Sequence, residues 1–178
     1  MDSRHIRNAA IINALNSGIE TRVKEALEEI RIYGNADILT EFISFIFNDA
    51  SEQYRSEAFQ ILNDIKDHEA IPVLVEALTR YRGKKDFNYL VSSCWQNGLD
   101  FSPYISLFVN ILIEDELNVA IEAYSVIEEN FHLLGIIEKQ TLIASLKETS
   151  LAGRDKDVCR KKLIVTLIEM LDRSDGIY

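Results

Sequence analysis

Between Tyr54 and Leu78 the chain reads YRSEAFQILNDIKDHEAIPVLVEAL, two amphipathic helical segments separated by a short polar turn. Ala58, Leu62 and Ile65 share one face of the first segment; Ile71, Leu74, Val75 and Leu78 share one face of the second. A single hairpin of two such helices leaves apolar surface uncovered, so the segment is a tile that requires neighbours. Those neighbours are written on either side of it. Subtracting 32 residues lands on Ala26, Ile30 and Tyr33, then on Leu39, Phe42, Ile43 and Ile46. Adding 34 to the second-helix positions lands on Ile105, Phe108, Val109 and Leu112. A looser fourth pair sets Ala123, Val126 and Ile127 before Ile136, Ile137, Leu142, Ile143 and Leu146. Every landing is apolar, and one register recurring at a near-constant spacing marks stacked helical repeats. Within the central tile, Ala58 is expected to face the second helix across a close crossing, beside Leu62 and Leu74.

Glycine supplies the punctuation. Gly18, Gly34, Gly83, Gly98, Gly135, Gly153 and Gly176 all fall near the ends of apolar-periodic stretches, and glycine closes helix C-termini in left-handed backbone. Between them the three-and-four spacing predicts helices over 3–16, 19–33, 36–48, 50–66, 69–82, 87–97, 103–113, 116–130, 135–148 and 154–173. No window alternates strictly enough for a strand. Asp49 with Glu52 three residues later has the spacing of a capping box, and Ser102-Pro103 sets a capping hydroxyl before a proline at the first helical position. Pro72 is tolerated in the first turn of its helix. The expectation is an all-α chain forming one domain over residues 1–178.

The central tile resembles a HEAT repeat, the two-helix unit of α-solenoids. The residues that carry the resemblance are Arg55, Ala58, Leu62 and Ile65, Asp67 in the turn, then Ala70-Ile71-Pro72, Leu74, Ala77 and Leu78. The pattern is fullest there, partial over 22–46, and weaker over 87–113 and 116–148. The segment CWQNGLDFSPY, residues 94–104, is similar to one in small bacterial HEAT-type proteins without an assigned activity. The resemblance implies an α-α superhelix of about four to five helical hairpins. It also implies that second helices line a concave surface, edged by Glu41, Ser44, Glu76, Arg80, Ser106, Asn110 and Lys139. Arg4, His5, Arg7 and Asn8 at one end, and Arg160, Lys161 and Lys162 at the other, fit end-capping helices.

Charge and chemistry narrow the function classes. The net charge is −10, and residues 99–148 carry nine acids against Lys139 and Lys147, a balance of −7. An acidic chain without a basic stripe is unsuited to phosphate-backbone binding, which exchanges Lys and Arg for counterions. The acids either attract a basic partner or form solvated helix faces. Apolar runs such as Ile43–Phe47 are too short to span a bilayer, and MDSRHIRNAA lacks the apolar segment of a signal peptide. Cys94 and Cys159 are too few for a disulfide framework and read as reduced core thiols, so a cytoplasmic protein is expected. His5, His68 and His132 sit on separate tiles with no metal-ligand spacing. As a nucleophile Cys94 would need a base brought close in space, and its neighbours Val91 and Trp95 favour a buried thiol. Glu28/Glu29 and Glu128/Glu129 diverge around their helices. There is no glycine-rich phosphate loop. No cofactor, metal or catalytic group is expected.

The remaining constellation is polar and aromatic: Trp95, Gln96, Asn97, Asp100 and Tyr104 at an inter-helix corner. Trp95 either packs between tiles, with Asp100 holding the turn, or anchors recognition. The expected role is a non-catalytic protein-interaction module. Its partner is a protein or peptide, met by Glu41, Glu76, Arg80, Trp95, Gln96, Asp100, Tyr104 and Asn110. One alternative is an immunity-type inhibitor of a basic toxin or nuclease. Another, implied by related HEAT-type families, is a bilin-attachment lyase or DNA glycosylase.

Overall fold

The computed structural model describes residues 3–151 and 157–174; the expected boundaries at Gly153 and Gly176 lie outside them. All described regular structure is helical: α1 (Ser3–Leu15), α2 (Glu20–Tyr33), α3 (Ala36–Asn48), α4 (Glu52–Asn63), α5 (Ala70–Arg80), α6 (Phe87–Gln96), α7 (Ile105–Glu114), α8 (Leu117–Asn130), α9 (Ile136–Leu151) and α10 (Val158–Ser174), with 3-10 turns at Ser102–Tyr104 and Phe131–Leu133. Each expected helix has its counterpart. Gly18, Gly83 and Gly98 adopt φ of 67–75°, where any side chain is strained; Gly34 closes α2 instead at φ −57°.

The boundaries depart from expectation at α4, which is shorter than 50–66 at both ends. Asp49 does not cap it; its N–H closes α3 on the Phe45 carbonyl. Ser51, in extended backbone, precedes α4 and accepts the Tyr54 and Arg55 N–H groups through its carbonyl. At the other end Asp64 terminates the helix, so Ile65 is half-buried beyond the helical face. Asp67 then organises the turn. One carboxylate oxygen accepts the Glu69 N–H at 3.0 Å, and the other accepts the Ala36 N–H at the start of α3 at 3.3 Å. Before α7, Pro103 sits in the 3-10 turn, and Asp100, not Ser102, supplies the acceptor, taking the Ser102 N–H at 2.9 Å.

The chain divides into two compact units, Met1–Leu99 and Asp100–Tyr178. In the first, α1, α3 and α5 neighbour one another in one row, and α2, α4 and α6 in a second. Leu27, Phe42, Ile46, Ala58, Leu62, Leu74, Leu78, Phe87 and Leu90 fill the space between with almost no exposed surface. The main packing of α4 runs along α6; the α4–α5 crossing, expected to be the close one, is secondary. Polar contacts in this unit recur at a separation of 31 or 33 residues. Arg4 meets Asp37, Arg31 meets Asp64, Glu52 meets Lys85 and Arg55 meets Asp86. The Ala36 N–H meets Asp67, Asn63 meets Gln96, and Lys66 meets the Asn97 carbonyl. The apolar register of the sequence is thus matched by a polar one.

In the second unit α8 packs along α7, and α10 lies against α8 and α9. Phe101 and Phe108 meet edge to face at 5.7 Å within a core that includes Ile111, Ala123, Val126, Leu146, Leu167 and Leu171. Here the spacing breaks. Arg160 on α10 reaches back 47 and 45 residues to donate to the Ile113 and Asp115 carbonyls at the end of α7. Two sequence expectations are corrected. Ile136 and Ile137, read as core landings, are 62% and 79% exposed; on α9 burial falls instead on Lys139, Leu142, Ile143 and Leu146. Cys159, read as a core thiol, is exposed, because the buried stripe of α10 runs through Ile164, Leu167 and Leu171, a phase that omits position 159.

Candidate functional site

Glu52, Arg55, Ser56, Phe59, Gln60 and Asn63 each have a neighbour three or four residues away along the helix and so form one stripe of α4. Opposite them stand Lys85, Asp86, Tyr89 and Gln96, at the start of α6 and along it. Between the two stripes lies a cleft of about 410 Å³, within the range of small-ligand and side-chain pockets.

Its floor is aromatic. Phe59 is buried, its ring 5.4 Å from that of Tyr89, which is 52% exposed. Behind Phe59 the stacking continues: Phe47 meets it edge to face at 5.9 Å and stacks on Tyr81 at 4.3 Å. The four rings run from the cleft on the even-numbered row to Tyr81, over which the Arg80 guanidinium lies at 5.6 Å.

The walls are charged but mutually neutralised. Arg55 donates to Asp86 at 3.0 Å and to the Ala50 carbonyl at 2.9 Å, and the Arg55 and Asp86 side chains are 22% and 19% exposed. Lys85 donates to Glu52 at 2.7 Å at the open rim. That hydrogen bond, with the attraction between the charges, lowers the Glu52 pKa and raises that of Lys85. Asp86 holds left-handed backbone, φ 66° and ψ 12°, where short polar residues are the best tolerated after glycine. Such a conformation persists only where its surroundings over-determine it. Here the carboxylate is fixed by Arg55, and the carbonyl receives the Tyr89 N–H that begins α6. At the far wall Asn63 donates to Gln96 at 2.9 Å, and Gln96 donates to Ser92 at 2.7 Å.

The residues expected to meet a partner are placed as follows. Gln96 lines this cleft, and Trp95 beside it is half-buried. Glu41, Glu76 and Arg80 are exposed on the odd-numbered row. There Glu76, Arg80 and Thr40 border a depression of only about 10 Å³, room for one water. Asp100, Tyr104 and Asn110 belong to the second unit, where Asp100 holds the turn, Tyr104 is half-buried and Asn110 is exposed. Lys139 is not a groove-edge residue: it is buried, with its ammonium 5.9 Å from the Phe131 ring centre. Phe59, Tyr89 and the paired charges were not anticipated. The signal for the polar pairs is the 31- or 33-residue spacing of Arg55 with Asp86, Glu52 with Lys85, and Asn63 with Gln96; Phe59 and Tyr89 carry no such signal.

A wider hollow of about 760 Å³ lies between Leu15, Glu20 and Val23 on one side and Asp49, Gln53 and Tyr54 on the other. It is bordered by chain turns and by carboxylates, and its two aromatic residues, Phe45 and Tyr54, are buried. Among the described residues no group of three His, Cys, Asp or Glu side chains could hold a metal, and no helix is long and apolar enough to cross a membrane. Cys94 is fully enclosed, and burial pushes its thiol well above the ordinary range, away from the thiolate form a nucleophile needs. Comparison with protein-family models, curated proteins and solved structures returns no match.

Proposed function

We propose that this chain is a non-catalytic protein-interaction module, a short HEAT-like helical array that binds a protein or peptide through its helical faces. The observation that carries the reading is that apolar positions recur at offsets of 32 or 34 residues and polar contacts of the first unit at 31 or 33. Helix starts add to it: α2, α4, α6 and α8 begin at 20, 52, 87 and 117, and α3, α5, α7 and α9 at 36, 70, 105 and 136. Arrays of this kind hold each tile mainly through its neighbours and leave long surfaces open for binding. The α4–α6 cleft, with an exposed tyrosine over a buried phenylalanine, has the anatomy of an interface anchor point. Affinity capture with the native chain, followed by binding of the purified partner, tests the reading. A protein partner binding with defined stoichiometry is expected; recovery of nucleic acid or metabolites alone overturns it.

A second reading rests on the acids of the −7 segment. Glu116, Glu128, Glu129, Glu138 and Glu148 are all exposed, an arrangement suited to a basic partner such as a toxin or nuclease. Association would then slow steeply as salt is added. Salt-independent association counts against it.

A further inference from the structure

We infer that the α4–α6 cleft receives an uncharged aromatic side chain of the partner, stacked against Tyr89 in line with the Phe59–Phe47–Tyr81 rings. This assignment rests on the interaction-module reading and names the chemistry of its anchor.

Three observations choose the occupant. Tyr89 is the exposed end of a column of rings whose other members are enclosed or half-buried. Its 39° tilt to Phe59 leaves a wedge that a further ring fills in the offset or edge-to-face geometry that aromatic pairs prefer. The four charged groups of the lining, Glu52, Arg55, Lys85 and Asp86, sum to zero and are already paired across the cleft. A charged anchor would lose water and find no counter-ion unless it broke one of those pairs, whereas a neutral ring would disturb neither. The remaining wall is amide and hydroxyl, from Gln60, Asn63, Gln96 and Ser56, suited to the peptide groups that flank a side chain in an extended segment. An aliphatic anchor would fill the volume but forgo the ring contacts.

The test uses the full chain, isotope-labelled, titrated in separate NMR experiments with N-acetyl-tryptophanamide, N-acetyl-tyrosinamide, N-acetyl-leucinamide and N-acetyl-lysinamide. The aromatic amides should give saturable shifts at Phe59, Tyr89 and the Asn63 and Gln96 side-chain amides, and bind roughly tenfold tighter than the leucine compound. Tyr89→Ala should abolish this preference while Tyr89→Phe keeps it, with both variants matching the parent in circular dichroism and Tm. Glu76→Ala, on the other row, should leave binding unchanged. Equal affinity for the leucine or lysine compound, shifts centred away from the cleft, or full binding by Tyr89→Ala would each overturn the assignment. The two readings fail separately. A captured protein partner held equally by the parent and Tyr89→Ala removes the cleft assignment and leaves the module. Saturable aromatic binding in the cleft with no protein partner removes the module and leaves the cleft.

Discussion

Ala58, Leu62 and Leu74 retain no exposed surface, while Glu76, two residues along α5 from Leu74, faces solvent. This contrast sets mutational costs that follow from packing alone. Ala58→Leu adds three carbons where there is no space and should cost about 1–3 kcal/mol. Leu74→Ala leaves a cavity and should cost about 2–5 kcal/mol. Glu76→Ala should change stability by about 0.5 kcal/mol or less. Urea denaturation of the three variants measures all of these. A Glu76→Ala cost equal to that of Leu74→Ala would mean that α5 is rotated about its axis. The two cysteines separate just as sharply. In the native chain a thiol reagent should modify Cys159 rapidly and Cys94 only after unfolding, giving one equivalent before denaturant and two after it. Burial raises the Cys94 thiol pKa in the folded state, so its contribution to stability is whole at lower pH and is lost as pH rises above 9.0, where the unfolded thiol ionises. Cys94→Ala should therefore flatten part of the alkaline decline in Tm; an unchanged slope would contradict the enclosure of this side chain.

Helices are where the sequence was most informative, and their ends where it was least. The spans of α2, α3, α6 and α8 follow from three-and-four periodicity bounded by glycine or a polar residue, a purely local signal. The ends of α4 do not, because the turn after it is set by Asp67, which bonds to the start of α3 as well as to its own strand of chain. An Asp49/Glu52 pair satisfies the spacing of a cap, yet tertiary placement gives Asp49 to the end of α3. The cleft was missed for a related reason. Apolar periodicity marks the core, whereas the cleft walls are polar residues paired between α4 and the two ends of α6. Asn130 illustrates the energetic weight of such cross-links. At the end of α8, almost wholly buried, it accepts the Phe101 N–H at 2.8 Å and donates to the Val126 carbonyl at 2.8 Å. Asn130→Ala strands a buried N–H and should cost about 1–3 kcal/mol, read as a lower denaturation midpoint; a change within error would imply that water replaces the amide.

Across the whole chain, the two compact units give the next testable statement. Hydrogen exchange in mild denaturant should sort the core amides of Met1–Leu99 and Asp100–Tyr178 into two groups with distinct opening free energies, since contacts concentrate within each unit. A single shared value for both would show one cooperative block. The polar spacing within the first unit also governs how this protein tolerates changes in length. Contacts such as Arg55 with Asp86 and Asn63 with Gln96 act as a reading frame laid over the backbone. Removing one residue from the turn between α4 and α5 shifts every downstream partner relative to its upstream mate, so the error propagates along the unit. On the proposed reading of the chain as a helical array, its length would be quantised, changing by units of about thirty-odd residues and resisting change by ones.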